Sequence, residues 1–355
     1  LSGEAPLLGI VAGRCFAGNA ALLGCCDVII ATRASNIGMG GPAMIEGGGL
    51  GVFKPEEIGP AAELARNGVV DVLVEDEAQA VAVARHYLSY FQGPLPEGQW
   101  RCSDPRRLRH SVPENRLRAY DMRALIATLA DTGSVLELRA GFGAGMITAL
   151  VRFAGRPMAL IANNPQHLGG AIDPEASDKG ARFLQLAQSH GLPVLSLCDT
   201  PGFMVGPEVE RQAQVRHACR LFLTAAKLTV PAFTVVVRKG YGLGAQAMAM
   251  GGFDAPVFTV AWPTGEFGGM GLEGAVRLGF RKELEAASAG PERDELYRRL
   301  VEQQYAAGSA LNMAQTLEID AVIDPAETRD WIIRGLQGAP VPPRSARGLR
   351  FIDGW

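Results

Sequence analysis

The sequence predicts an α/β protein built from two related segments. Three observations carry that expectation. Short apolar runs alternate with helical stretches, the same strand–turn–helix–strand order occurs twice, and many of the 44 glycines among 355 residues fall at the turns between them. Alternating strands and helices argue for layered α/β architecture. Glycine at turns lets the backbone bend tightly or approach a ligand closely.

In the first segment, residues 7–12 form a short apolar run that fits a buried strand. A glycine-bearing turn follows at 13–18, then a helix of small residues at 19–26 and a second strand at 28–31. Residues 76–90 carry helical periodicity and close the segment. A Pro-, Gly- and Arg-rich stretch over 92–113 reads as a connection between domains. The expected division is therefore 1–110, including this linker, and 111–355.

The second segment opens with a helix over 122–129 and a strand over 135–139. Strands are expected at 146–153, 158–162, 194–198, 233–237 and 257–261. Helices are expected at 177–190, 212–227 and 245–250. Residues 6–28 and 231–257 repeat one order: Pro, apolar strand, glycine turn, helix of small residues, Asp, apolar strand. Asp27 and Asp254 fall at similar places in the two copies. A repeat of this kind suggests one domain type used twice.

Composition excludes several classes. Net charge is −3 and 20% of residues are charged, so nothing points to nucleic acid or an acidic membrane. The arginine-rich run at 101–109 is short and broken by proline. No apolar stretch has the length of a membrane span. The six cysteines form no C-x-x-C pair and are expected to be reduced, core-filling thiols of a cytoplasmic protein. No histidine has metal-ligand spacing, so no metal is expected. The excess of Arg over Lys suggests a bacterial source.

Two turns could carry chemistry. The first is Gly13-Arg-Cys-Phe-Ala-Gly-Asn19 and the second Lys239-Gly-Tyr-Gly-Leu-Gly-Ala245. Each lies between a strand and a helix, where backbone N–H groups and the positive end of the helix dipole collect. That is how an oxyanion hole is made. A plain tight turn is the competing explanation for either alone. Gly242-x-Gly244-x-x-Ala247 also fits a loose dinucleotide fingerprint, but the acidic residue, Glu266, lies beyond the strand end and the first copy lacks the pattern.

These residues carry a family resemblance. The stretch 16–31 resembles the turn and helix of the crotonase superfamily. Asn163-Asn-Pro165, the stretch 176–183, Asp199-Thr-Pro-Gly-Phe203, Arg238-Lys-Gly-Tyr-Gly242 and Ala261-Trp-Pro-Thr264 resemble the carboxyltransferase subunits of biotin-dependent acyl-CoA carboxylases. The resemblance implies a crotonase-like (ClpP/crotonase) ββα spiral fold in two related domains. It also implies a homo-oligomer, a trimer of dimers, with each site between domains of two subunits. Members of that family carry further residues ahead of the position of Leu1, so an N-terminal piece and part of the CoA surface are expected to be missing.

The chemistry implied is transfer of CO2 from carboxybiotin to the α-carbon of an acyl-CoA. By resemblance, the N–H groups of Ala17, Gly18 and Asn19 face the thioester oxygen, with Gly41 and Pro42 beside the substrate. Those of Leu243 and Gly244 face the biotin oxygen, with Pro201, Gly202, Phe203 and Gly242 at the cofactor and Gln246 toward the acyl group. Biotin is expected on a partner carrier, because the chain has no Ala-Met-Lys-Met motif. A biotin carboxylase partner is expected because no Walker-type ATP loop is present. The family's second Gly is Leu243 here, and Gln246 replaces the Asp of propionyl-type enzymes. Three rivals stand beside this reading: a biotin-dependent decarboxylase, a crotonase-type hydratase lacking a visible carboxylate pair, and a non-catalytic scaffold subunit. His167, with no partner visible in the sequence, is expected at the surface or as a ligand wall, and Lys179 and Arg182 are expected to lie on a solvated helix face.

Overall fold

The computed structural model describes residues 1–343 and 351–355. The first segment contains β1 (Leu8–Val11), β2 (Arg14–Phe16), α1 (Gly18–Gly24), β3 (Val28–Thr32), β4 (Asn36–Gly38), α2 (Pro42–Gly47), α3 (Ala61–Leu64), β5 (Val72–Val74) and α4 (Glu77–Ser89). The second contains α5 (Met122–Leu129), β6 (Leu136–Leu138), β7 (Met146–Phe153), β8 (Arg156–Asn163), α6 (Pro174–His190), β9 (Val194–Thr200), α7 (Pro207–Glu210) and α8 (Gln214–Ala226). It continues with β10 (Ala232–Tyr241), α9 (Gly242–Met248), β11 (Phe258–Ala261), β12 (Glu266–Gly268), α10 (Leu272–Gly279), α11 (Arg281–Ala286), α12 (Pro291–Ala307), α13 (Ala310–Gln315), β13 (Ala321–Val322) and α14 (Thr328–Gly338).

In the first segment β1, β3 and β5 form a parallel sheet, and β2 pairs with β4. In the second, one sheet runs β13-β11-β10-β9-β8-β7-β6, with β12 joining the far end of β10. β7 runs antiparallel to its two neighbours, β6 and β8; the remaining pairs are parallel. Strands buried on both faces read as unbroken apolar runs. That is why β7, buried along its whole length, was visible in sequence to the residue. β4, β5, β12 and β13 are two or three residues long and gave no such signal.

The two segments repeat one plan, and the structure fixes its register. Val28 follows Asp27, whose N–H meets Leu7 O at 2.9 Å; Phe258 follows Val257, whose N–H meets Ala232 O at 2.7 Å. Asp27 is therefore equivalent to Val257, and Asp254, which is exposed, is not its counterpart. The true acidic pair is Asp71 and Asp320. Asp71 accepts the Ile29 N–H at 2.8 Å and Asp320 the Thr259 N–H at 2.7 Å, each ahead of the last strand of its repeat. Gly59 and Gly308 form a second equivalent pair. A β-carbon there would lie 1.8 Å from Ile37 O and 2.1 Å from Phe267 O, so only glycine fits at either position.

α6 is the centre of the molecule. It packs on α8 and the large sheet, and its core continues into Val28, Ile30 and Val74 of the first segment. Lys179 and Arg182 therefore do not form a solvated face. Lys179 is 1% exposed and donates to Phe142 O at 2.9 Å. Arg182 is 6% exposed and donates to Asp27 O at 2.8 Å, Cys26 O and Asp353 O. A helix covered on two sides buries polar positions, and each must then find a partner. The cysteines also depart from expectation. Only Cys198 is buried, whereas Cys25, Cys102 and Cys219 are exposed; all six are free thiols. Cys25 ends α1, Cys219 lies at an exposed position of α8 and Cys102 lies in the Pro- and Arg-rich connection, so apolar neighbours in sequence did not bring burial there.

Candidate active site

The second turn is formed where β10 crosses from one sheet register to another. β10 pairs with β9 and β11 up to Val236, shifts register before Gly240, and pairs with β12 at 239–241. Gly242 then takes φ +57, a left-handed conformation, and a β-carbon there would meet Gly269 O at 2.8 Å. α9 begins at once, so the N–H groups of Gly242, Leu243 and Gly244 have no partner within the helix. Gly244 packs directly on the neighbouring turn: an added β-carbon would lie 2.7 Å from Gly202 Cα and 3.0 Å from Phe203 N. This contact brings Gly202, Phe203, Gly242, Leu243 and Gly244 together, with Pro201 adjoining. Leu243 and Gln246, three residues apart on α9, are both exposed on one face. The Gly202 N–H is already donated to Thr200 Oγ1 at 3.1 Å, and Gly202 is buried against Gly244, so it shapes the turn rather than offering a free donor.

The turn at 199–203 is anchored by a buried ion pair. Asp199, fully buried, accepts from Arg238 at 3.0 Å and from the Lys239 N–H at 3.1 Å, and its own N–H meets Asn163 Oδ1 at 3.1 Å. Arg238 Nη1 also donates to Arg118 O at 2.9 Å, tying the segment ahead of α5 to the site. Lys239 Nζ donates to Gly169 O and lies 3.7 Å from Asp199 Oδ1; burial lowers its pKa.

The first turn is built the same way on β2 and β4. Ala17 takes φ 54, matching Gly242, and its carbonyl accepts from Ala21 to start α1. The Ala17 N–H is committed to Gly38 O at 3.0 Å, in line with the β2–β4 ladder. Gly18 and Asn19 are exposed at the first turn of α1, where the helix supplies no acceptor. Gly41 caps α2, with Pro42 at its first position, and a β-carbon at Gly41 would meet the Phe16 ring at 3.3 Å. Phe16, Gly41 and Pro42 thus sit beside the first turn. By strand register Phe16 matches Tyr241, Ala17 matches Gly242, and Gly18 and Asn19 match Leu243 and Gly244.

Other residues resolve differently from expectation. His167 has a partner: its Nε2 is 3.1 Å from Asp173 Oδ2, the residue that caps α6. Sequence could not bring a loop histidine to a cap whose Pro174-led helix start was placed three residues late. Reading the sequence also missed Glu266 as a site element. It accepts from Tyr241 Oη at 2.9 Å and from Arg116 Nε at 3.1 Å. The signal available was its position on a strand that follows the second turn; its partner lies 25 residues away.

Comparison with known proteins accords with this architecture. The carboxyl transferase domain family matches residues 1–340. The chain belongs to that family. The methylmalonyl-CoA carboxyltransferase 12S subunit of Propionibacterium freudenreichii subsp. shermanii is 34% identical over 348 residues, 95% of this chain and 65% of the relative. The chain therefore spans just under two thirds of that relative's length. A solved single-chain, multi-domain long-chain acyl-CoA carboxylase superposes with a TM-score of 0.88 at 61% identity, over 94% of this chain and 33% of that one. The transcarboxylase 12S hexamer, solved with methylmalonyl-CoA, superposes with a TM-score of 0.87 at 30% identity, over 99% of this chain and 69% of that one. The fold is thus the crotonase-like α/β fold of carboxyltransferases.

Proposed function

We propose that the chain provides the carboxyltransferase site of a biotin-dependent acyl-CoA carboxylase, moving CO2 from carboxybiotin to the α-carbon of an acyl-CoA. One observation carries the reading: two equivalent strand–turn–helix units, each ending in backbone N–H groups without an intrahelical partner. The reaction builds two negative charges, one on each reactant, and so calls for two oxyanion holes. Gly18 and Asn19 serve the thioester oxygen, with Gly41 and Pro42 beside the acyl group; Ala17 shapes the turn through its left-handed φ instead of donating. Leu243 and Gly244 serve the biotin ring, with the half-buried Phe203 and Pro201 beside it, Gly202 and Gly242 shaping the two turns and Gln246 facing the acyl chain. Bound there, biotin would supply the transferable carboxyl group and a ring nitrogen able to take the α-proton. The chain's part is to stabilise charge as it develops, about 2.7–4 kcal/mol for each well-placed donor.

The twofold higher identity to the long-chain enzyme than to transcarboxylase favours a long-chain acyl thioester. Biotin arrives on a carrier served by a biotin carboxylase, in a homo-oligomeric, cytoplasmic assembly in which the two turns of one site come from different subunits. The test supplies free biotin with a long-chain 2-carboxyacyl-CoA, malonyl-CoA, methylmalonyl-CoA or methylglutaconyl-CoA and measures biotin-dependent loss of the carboxyl group. Fastest turnover of the long-chain substrate supports the reading. Absence of turnover with all four, from a folded oligomer, overturns it in favour of a scaffold role.

A further inference from the structure

The two turns share a backbone plan but differ in what stands behind them. In the first repeat Phe16 carries no hydroxyl, and Asn36, which stands in the place of Glu266 and pairs with Arg14, donates to Glu56 O at 3.1 Å and Ile58 O at 3.2 Å, away from the turn. In the second repeat the equivalent pair is Tyr241 and Glu266. Tyr241 is 3% exposed and is the cap of α9, one peptide from Gly242. Its hydroxyl donates to Glu266 Oε2 at 2.9 Å, whose other oxygen lies 3.1 Å from Arg116 Nε. The Arg116 guanidinium stands 3.7 Å from the centre of the Tyr305 ring, and Tyr305 Oη donates to Glu273 Oε1 at 2.6 Å. The relay thus joins β10, β12, the segment leading into α5, α12 and α10.

We propose that Tyr241, Glu266 and Arg116 are positioning residues for the second turn, holding the N–H groups of Leu243 and Gly244 in the geometry that charge on the bound partner requires. The proposal rests on the reading above. A turn with a left-handed Gly242 at its apex has little intrinsic stiffness. Fixing the residue before the apex by a half-buried, charge-assisted hydrogen bond removes that freedom. Preorganised donors matter because they need no rearrangement as charge develops. The first turn obtains its stiffness from Phe16 packed on Gly41 and from the Ala17 N–H bond instead. Burial raises the pKa of Glu266, in keeping with a carboxyl held away from water by these partners.

The experiment compares Tyr241→Phe and Glu266→Gln with the parent in the full-length protein, using biotin and the best acyl-CoA from the test above. Hydrogen exchange of the peptide spanning 239–248 is the second readout. Tyr241→Phe is expected to lower kcat about tenfold to a hundredfold, as a small misplacement of reacting groups does, with KM for acyl-CoA unchanged. The 239–248 peptide should exchange faster while α6 and β7 do not. Glu266→Gln, which keeps an acceptor for the tyrosine but not the charge, should lower kcat less than Tyr241→Phe does. A kcat within about twofold of the parent, or unchanged exchange at 239–248, overturns the proposal. Loss of parent turnover altogether would instead count against the carboxyltransferase reading, so the two failures are separable.

Discussion

Gly244 has no room for a β-carbon, because Gly202 and Phe203 fill the space. Gly244→Ala should therefore force the two turns apart, at about 1–3 kcal/mol of stability and with a large loss of carboxyl transfer. Leu243 is 63% exposed and offers its backbone, so Leu243→Ala should leave the fold intact and change chiefly substrate preference. Thermal unfolding and transcarboxylation measured on both variants check this contrast; equal losses in the two would refute it. Lys179 permits a second test at the same scale. Burial lowers its pKa from the usual 10.5 to about 7. Between those values the unfolded chain holds the extra proton, so stability should rise with pH across that window, by at most about 1.4 kcal/mol per unit. Below pH 7 both states are protonated and this contribution no longer changes. Urea unfolding at pH 7 and pH 9 should show the parent gaining on Lys179→Met; identical pH dependence would contradict the assignment.

Among the elements, the repeat was legible in outline and wrong in register. Apolar strand, glycine turn and small-residue helix were readable because each is a local pattern. The pairing of Asp27 with Asp254 failed because both precede an apolar strand, and sequence alone does not say which one bonds across the sheet. The functional equivalence of Asp71 and Asp320 depends on strands 42 and 61 residues away. It yields a graded prediction. Asp71 is buried and also lies 3.1 Å from Arg139, which is 5% exposed, so Asp71→Ala leaves a buried guanidinium unpaired. That should cost about 3–5 kcal/mol. Asp320 is exposed, and Asp320→Ala should cost about 1 kcal/mol, the ordinary net value of one hydrogen bond. Denaturant midpoints of the two variants measure the difference, and a larger loss at Asp320 would refute the ranking.

At the scale of the whole molecule, the first segment is held to the second through α6. Arg182 reaches two carbonyls at the end of α1's loop, His190 Nε2 lies 3.0 Å from Asp27 Oδ2, and Arg139 meets Asp71. Arg182→Leu should loosen this contact before the large sheet melts. Limited proteolysis should then cut first within 92–113, leaving the second segment intact, whereas uniform cleavage would show that the segments unfold together. No helix among the described residues is long and apolar enough to cross a membrane.

The sequence by itself determined the α/β class, the doubled strand–turn–helix unit and the two glycine turns. Those features are written in local periodicity and in residues chosen for their backbone freedom. The tertiary structure decided which N–H groups are spoken for: Ala17 is bonded to Gly38 where β4 returns beside β2, and Gly202 to the Thr200 hydroxyl within its own turn. It likewise decided that Lys179 and Arg182 are buried, since burial of a polar helix face depends on what packs over it. The Tyr241–Glu266–Arg116 relay belongs to the same class: its members are far apart in sequence and become neighbours only when β12 and the segment ahead of α5 close on the second turn.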